Sequence, residues 1–168
     1  MINLENVEIL GYTGYIENVS KTLEDIDNLR DTCCDGCLIQ LLDADGIAGY
    51  KHALHGVNHA LLAFERNYNL ANDLGVELLL RISGNRQISK GFKSLGLHEG
   101  EMNLCIILID CPDYFKDKLN DMFTPDNSVL ESNTEKLLKI YNIPKEQLNT
   151  MYIEDILIDK TTKLITEQ

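Results

Sequence analysis

This sequence of 168 residues lacks any long apolar run, although 44% of its residues are hydrophobic. No stretch approaches the ~18 to 20 consecutive apolar residues of a membrane-spanning helix, and residues 1–10 lack the charged and apolar regions of a signal peptide. We therefore expect a soluble, cytoplasmic protein. The chain also lacks internal repeats, low-complexity tracts and linkers rich in Pro, Gly and Ser, so we expect one domain over residues 1–168.

Motifs of the common enzyme classes are missing as well. The sequence has no P-loop, no G-x-G-x-x-G, no nucleophile elbow and no H-E-x-x-H. Asp43 and Asp45 are better explained as helix caps than as an acid/base pair, because nothing near them in the sequence would push their pKa values apart. The sequence therefore predicts no catalytic residue and no cofactor.

Basic residues are few, and the charge is unevenly distributed. The formal net charge is -12, which argues against a surface that binds nucleic acid non-specifically, since neutralising phosphates needs an excess of Lys and Arg. Between Leu78 and His98, however, there is no Asp or Glu, and four bases lie in that window. An even spread of acids would place about three there, so one region of an acidic protein is locally positive.

The five cysteines are too few and too irregular to predict a disulfide framework or a zinc site. Cys33, Cys34 and Cys37 form a C-C-x-x-C run, which has the two-residue spacing of a metal knuckle or a redox pair. A structural zinc site needs a second pair, and Cys105 and Cys111 do not supply that spacing. Free thiols are the default expectation in a reducing compartment, and a metal or redox role stays open.

Hydrophobic spacing predicts a mixed α/β fold, with a mostly antiparallel sheet covered by helices. A bent strand or hairpin is expected over residues 7–17, with Gly11 and Gly14 as turn points, and buried strands over 37–42, 77–82 and 104–109. Helices are expected from Ser20, after Asp43 or Asp45, after Ser83 or Asn85, from Pro112, from a capping box at Ser132 and Glu135, and from Pro144.

The longest helix should follow Asp45 and bury an apolar stripe at alternating three and four spacing. That stripe consists of Ile47, Tyr50, Leu54, Val57, Leu61, Phe64 and Tyr68. Three histidines, His52, His55 and His59, lie roughly opposite it at i, i+3 and i+7. A metal site, a contact with nucleic acid or another partner, and ordinary structural histidines are all compatible with this spacing. A metal is disfavoured because the helix has no acid between Asp45 and Glu65.

The helix after Gly84 combines two features of an anion-binding surface. Arg86, Lys90 and Lys93 share one face at i, i+4 and i+7, while Ile88, Phe92 and Leu95 are expected to face the core. The helix also begins after Ser-Gly-Asn85, and a helix N-terminus presents unpaired amides and a partial positive charge. An ordinary solvated basic face is the alternative interpretation.

Several segments taken together resemble the kinase-binding subunit family of KEOPS, a tRNA-modification complex. The matching stretches are Leu42-Asp-Ala-Asp-Gly-Ile-Ala-Gly49, His52 followed by Ala53, Ala60 with Ala63-Phe64, and Ser83-Gly-Asn-Arg-Gln-Ile88. The last is the most specific, and it is followed by the Leu95-Gly-Leu97 turn. Gly91, where the family usually has alanine, and the Cys33 cluster depart from the family pattern.

The resemblance implies a non-catalytic α/β subunit that binds the complex's small atypical kinase-ATPase and, through it, the other KEOPS subunits. It also implies recruitment of tRNA through the single-stranded 3′ CCA end, for threonylcarbamoyladenosine formation beside the anticodon. By matching positions, the tRNA-facing candidates are His52, Ser83, Gly84, Arg86, Gln87 and Ile88, to which the predicted helix N-terminus adds Asn85 and its basic face adds Lys90 and Lys93. The alternative is a protein-only adaptor of the kinase that makes no tRNA contact.

Overall fold

The computed structural model describes residues 6–33 and 36–166, apart from the side chains of residues 33 and 166. Its four-stranded sheet has the order β2-β3-β1-β4, and all neighbouring strands are antiparallel. The strands are β1 (Val7–Ile16), β2 (Leu38–Asp43), β3 (Gly100–Ile109) and β4 (Thr124–Pro125). The predicted fold class, a mixed α/β fold with an antiparallel sheet, is therefore confirmed.

Helices cover both faces of this sheet, and short 3-10 helices lie between some of them. The α-helices are α1 (Val19–Cys33), α2 (Tyr50–Glu65), α3 (Leu74–Ser83), α4 (Ile88–Leu95), α5 (Tyr114–Met122), α6 (Thr134–Ile140) and α7 (Ile153–Thr166). The 3-10 helices are Ala44–Gly46, Asn127–Leu130 and Lys145–Asn149. No helix in the described part of the chain is long and apolar enough to cross a membrane.

The central strand β3 is buried on both faces, so it belongs to two hydrophobic clusters. Cys105 and Ile107 point to the cluster that includes α2, α3 and α4. Leu104 and Ile106 point to the opposite cluster, which includes Phe115 of α5. This is the alternation that a strand requires, since successive side chains point to opposite faces of a sheet.

The prediction of a strand over residues 77–82 is wrong, because these residues lie within α3. Asp73 caps this helix by accepting a hydrogen bond from the Val76 amide at 2.9 Å. Leu78, Leu79, Leu80 and Ile82 are all buried, so the helix is apolar on nearly every side. Such a run has no helical periodicity in its sequence and cannot be told from a buried strand.

The prediction of turns at Gly11 and Gly14 is also wrong, because β1 runs unbroken from Val7 to Ile16. Both glycines instead allow close approach of other chain segments. A Cβ on Gly11 would lie 2.5 Å from the Asp126 carbonyl oxygen, and a Cβ on Gly14 would lie 2.5 Å from the Phe123 ring.

The core stripe predicted for the longest helix is rotated from the real one. The buried face of α2 consists of His52, Ala53, Gly56, Val57, Ala60 and Ala63, whereas Tyr50 is 52% exposed. Small residues line this face because α3 lies very close, and a Cβ on Gly56 would come within 2.8 Å of the Ile82 Cα. Asp43 does act as a cap, but of the 3-10 helix Ala44–Gly46 that precedes α2.

The C-terminal helices agree with prediction more closely than α3 does. The structure confirms the helices expected after Pro112 and after residue 132, as α5 and α6. The capping residue of α6 is Asn133, whose side chain accepts from the Lys136 amide at 3.2 Å, and not Ser132 as predicted. The predicted helix from Pro144 is the 3-10 helix Lys145–Asn149, and α7 follows it.

Candidate functional site

The candidate residues centre on residues 84–87, which connect α3 to α4 and are called the connector below. Gly84 ends α3 in the left-handed conformation, with φ of 68°. A Cβ at this position would also lie 2.7 Å from the Lys160 Cβ on α7. A residue with a side chain would therefore be strained in its backbone and crowded by α7, so glycine sets where the connector turns.

His52 holds the end of α3 from inside the protein. The Ala48 amide donates to His52 Nδ1 at 2.9 Å, so Nε2 carries the proton and donates to the Ile82 carbonyl at 2.8 Å. The residue is completely buried. Its ring thus ties the start of α2 to the residue two positions before Gly84.

The resemblance placed His52 and Ser83 among the tRNA-facing residues, but the structure buries both side chains. Ser83 is 1% exposed, and its hydroxyl donates to the Leu80 carbonyl at 3.2 Å. Neither side chain can reach a ligand on the surface in this conformation. Both side chains make their hydrogen bonds inside the protein, and a contact of these two residues with tRNA stays a prediction.

Burial of the His52 ring has a measurable consequence for stability. It lowers the pKa of His52 from 6.5 to about 4, against the hydrogen bond to Ile82, which raises it. Because the folded pKa lies below the unfolded one, the contribution of His52 is complete above pH 6.5 and is lost as the pH falls toward 4. We expect this loss to lower the free energy of unfolding by roughly 2 kcal/mol when the pH falls from 7 to 5.

Chemical denaturation at several pH values measures this loss. His52→Gln keeps a donor for the Ile82 carbonyl but does not titrate, so its stability should fall less steeply over the same pH interval. His55 and His59 also have lowered pKa values, mainly through burial, and a smaller slope should therefore persist in the variant. If the stability of His52→Gln fell with pH as steeply as that of wild type, the loss could not be assigned to His52.

Arg86 lies in the connector and not on α4. Its Nη2 donates to the carbonyl of Leu164, in the last turns of α7, at 2.8 Å, and the residue as a whole is exposed. The guanidinium is thus oriented by the end of α7, where backbone carbonyls attract a cation, while the side chain stays open to solvent.

The N-terminus of α4 is uncapped by any side chain. The helix begins at Ile88, and its N-cap residue Gln87 is exposed and makes no side-chain capping bond. The first amides of α4 are therefore available to an anion. Arg86 lies immediately before them, and Lys90 in the first turn is also exposed.

Ile88 and Phe92 face solvent, which corrects the prediction that they face the core. Ile88 is 50% exposed and Phe92 is 48% exposed. The buried face of α4 is formed by Gly91, Ser94 and Leu95, because a Cβ on Gly91 would lie 2.4 Å from the Leu79 Cδ2. The small residues Gly91 and Ser94 were the sequence signal of close packing on that face.

The exposed surface of α4 therefore combines an apolar pair one helical turn apart with basic side chains. Lys90 and Lys93 are exposed as well. Of the two acids that flank this segment in the sequence, Glu77 is buried in an ion pair with Arg81, and Glu99 is exposed four residues after the end of α4. Cations, free amides and an exposed aromatic ring together suit a short single strand, which offers phosphates and unstacked bases.

A comparison with protein families bears on this surface. The model of the family described as Kinase binding protein CGI-121 matches residues 16–162. The chain belongs to this family. It is also similar to the Regulatory protein Cgi121 of Methanocaldococcus jannaschii, with 36% identity over 103 residues. That match covers 60% of this chain and 66% of the relative, just under two thirds of the relative's length.

The CGI-121 match includes all nine candidate residues, and the structure sorts them into three groups. Arg86, Gln87, Ile88, Lys90 and Lys93 are exposed, Gly84 and Asn85 are partly exposed, and His52 and Ser83 are buried. Sequence reasoning assigned Phe92 to the core and did not include Lys160 and Leu164 of α7. Their role depends on the packing of α7 against the connector, for which the sequence carries no local signal.

The other histidines and the cysteines of this CGI-121 chain do not assemble a metal site in the described residues. His55 Nε2 lies 3.2 Å from the Thr162 hydroxyl, and the His55 and His59 rings meet edge to face. No group of three His, Cys, Asp or Glu side chains suited to a metal ion occurs in residues 6–33 and 36–166, side chain 33 excepted.

Cys37 is disulfide-bonded, so the expectation of free thiols is wrong for this residue. The side chain of Cys33 and all of Cys34 lie outside the described residues, so a further role of the C-C-x-x-C run stays a prediction. Cys105 and Cys111 are free. Burial raises the pKa of the Cys105 thiol to about 12, which makes it unreactive at neutral pH.

Proposed function

We propose that this chain is a non-catalytic subunit of the KEOPS complex that binds the small atypical kinase-ATPase and recruits tRNA by its 3′ CCA end. The complex then forms threonylcarbamoyladenosine next to the anticodon. Membership of a kinase-binding family supports the kinase partner. The tRNA role rests on the exposed surface formed by the connector and α4.

The observation that carries the RNA proposal is the local chemistry of this surface in an acidic protein. Between Leu78 and His98 no acid offsets the charge of Arg86, Lys90 and Lys93. The uncapped start of α4 adds backbone amides for a phosphate, and Phe92 adds a ring on which a base can stack. A few phosphate contacts with stacking suffice for a short single strand, whereas a long duplex needs a larger basic area.

Each candidate residue has a role in this proposal. Arg86 and the first amides of α4 hold a phosphate, Lys90 and Lys93 add charge, and Ile88 and Phe92 receive a base. Gln87 and Asn85 offer amide groups for base edges. His52, Ser83 and Gly84 position the connector.

We expect removal of the CCA end from tRNA to lower affinity for this chain by at least tenfold. The reason is that the proposed surface reads only a short single strand, so the remaining duplex should bind weakly to a chain of net charge -12. Binding of intact and truncated tRNA is measured at low salt, for the chain alone and for its assembly with the kinase. A tRNA carrying a mutated CCA sequence of equal length separates recognition of bases from recognition of a single strand.

Equal affinity for intact and truncated tRNA would contradict recognition of the 3′ end. If neither the chain alone nor its assembly with the kinase bound tRNA, the protein-only adaptor would be the remaining interpretation. The basic surface of α4 would then contact acids on a protein partner. Kinase binding is measured in parallel, so the two parts of the proposal are tested separately.

A further inference from the structure

Three large apolar side chains are exposed around the N-terminal end of α7. Tyr152 is 82% exposed, Tyr50 is 52% exposed and Met151 is 39% exposed. We call these three residues the docking patch. Tyr50 starts α2, and this end of α2 lies beside the first turn of α7, since a Cβ on Gly49 would be 2.9 Å from a Glu154 carboxylate oxygen. Clustered exposed apolar side chains mark an interaction site more often than scattered ones do.

The docking patch borders an open groove with an acidic side. The groove has a volume of about 650 Å³, and Leu148, Met151, Tyr152 and Lys51 contribute to its lining. Glu154 and Asp155, in the first turn of α7, also line it. A partner that fits must insert apolar side chains and carry basic residues opposite these two carboxylates.

The docking patch and the connector lie at opposite ends of α7. Arg86 donates to the carbonyl of Leu164, which is twelve residues after Tyr152 in the sequence. At 1.5 Å per helical residue, these positions are about 18 Å apart. A protein bound at the docking patch can therefore coexist with a single strand bound at the connector.

We infer that the docking patch is the surface on which the kinase binds, through an apolar element of the kinase that is flanked by basic residues. This inference rests on the proposed function, which supplies the kinase as partner. The two carboxylates disfavour RNA at the same place, because they repel phosphates. A second copy of this chain is also disfavoured, since a symmetric contact would bring the acidic sides of two grooves together.

The test compares two exposed tyrosines in binding assays with the purified cognate kinase. Tyr152→Ala should weaken kinase binding by about thirtyfold or more, the effect of losing an aromatic anchor. Tyr15→Ala is the matched control, because Tyr15 is 69% exposed on β1 and should bind the kinase as wild type does. Asp155→Lys should also weaken binding, and its effect should shrink at high salt. Affinity for tRNA should be unchanged in all three variants.

Each result supports or overturns the inference. Wild-type binding of the kinase by both Tyr152→Ala and Asp155→Lys would show that the kinase docks elsewhere, while the proposed function stands. Absence of kinase binding by the wild-type chain itself would overturn the proposed function and this inference together. A wild-type dimer that Tyr152→Ala converts to monomer, with kinase binding intact, would make the docking patch an interface between copies. Circular dichroism and thermal melting confirm that each variant is folded.

Discussion

We expect Arg86→Glu to lower affinity for tRNA by ten- to a hundredfold. Arg86 is exposed beside the uncapped start of α4, where a phosphate would accept both from the guanidinium and from backbone amides. The substitution removes this donor and places a carboxylate against the phosphate. It also removes the hydrogen bond to the Leu164 carbonyl, which should cost about 1 kcal/mol of stability.

Affinity for tRNA, affinity for the kinase and the free energy of unfolding are measured together for this variant. Lys93→Glu makes the same change of charge in the last turn of α4, and it should have a smaller effect because it lies farther from the helix-terminal amides. Arg86→Lys keeps the charge but not the forked geometry, and should lie between wild type and Arg86→Glu.

If the Arg86→Glu variant bound tRNA as tightly as wild type, the assignment of the connector to tRNA binding would be wrong. If the variant lost kinase binding but kept tRNA binding, this surface would be a contact with the kinase, as the protein-only adaptor requires. A loss of stability well above 1 kcal/mol would show that the contact of Arg86 with α7 is mainly structural.

We expect Glu77→Ala to reduce the free energy of unfolding by roughly 3 to 5 kcal/mol, the range for breaking a buried ion pair. Glu77 and Arg81 are both completely buried, and Arg81 Nε donates to Glu77 Oε1 at 2.9 Å. The carboxylate also accepts from the backbone amides of Leu70 and Ala71. Its removal leaves a buried guanidinium without its counter-charge and two amides without their acceptor.

The matched control for Glu77→Ala is Asp25→Ala. Asp25 pairs with Lys21 at 2.6 Å with the same i,i+4 spacing, but both side chains are exposed, so the control should change stability little. Urea denaturation compares the two variants with wild type. Similar small losses in both would mean that water reaches Arg81 in the variant and compensates for the missing carboxylate.

Loss of Glu77 should also affect the candidate site through α3. The carbonyl of Arg81 accepts from the Thr161 hydroxyl at 2.6 Å, and Ile82, the next residue, accepts from His52. The pair therefore lies at the point where α2, α3 and α7 meet, just before Gly84. A weaker α3 would displace the connector, so tRNA affinity should be compared only for variants that are still folded at the assay temperature.

The fold class and most helices could be predicted from periodicity, whereas buried segments could not be assigned with the same success. The spacing of apolar residues indicated α2, capping signals indicated α6, and the run over residues 104–109 indicated β3. In α3, Leu78, Leu79, Leu80 and Ile82 are apolar without a clear helical period, and the strand prediction failed there. A helix buried on nearly all sides loses the contrast between faces on which such prediction depends.

The sequence also failed to predict which side chains are buried at the candidate site. His52 was placed on the polar side of α2, but its ring joins Ala48 and Ile82, and Ile82 is 30 residues away in the sequence. Phe92 was placed in the core, but Gly91 occupies that position against Leu79. In both cases the neighbouring helix α3 decides which face is buried, and its position depends on long-range packing.

The order of residues alone sets the local chemistry of this protein: a segment without acids, a glycine where α3 must end, and a basic helix after it. These features depend on neighbours within a few positions, which is the range of helix capping and charge patterning. Only the tertiary structure decides which of these residues a partner can reach. The packing of α2, α3 and α7 buries His52 and Ser83, exposes Ile88 and Phe92, and orients Arg86 on the end of α7, because burial is shared by residues far apart in the chain.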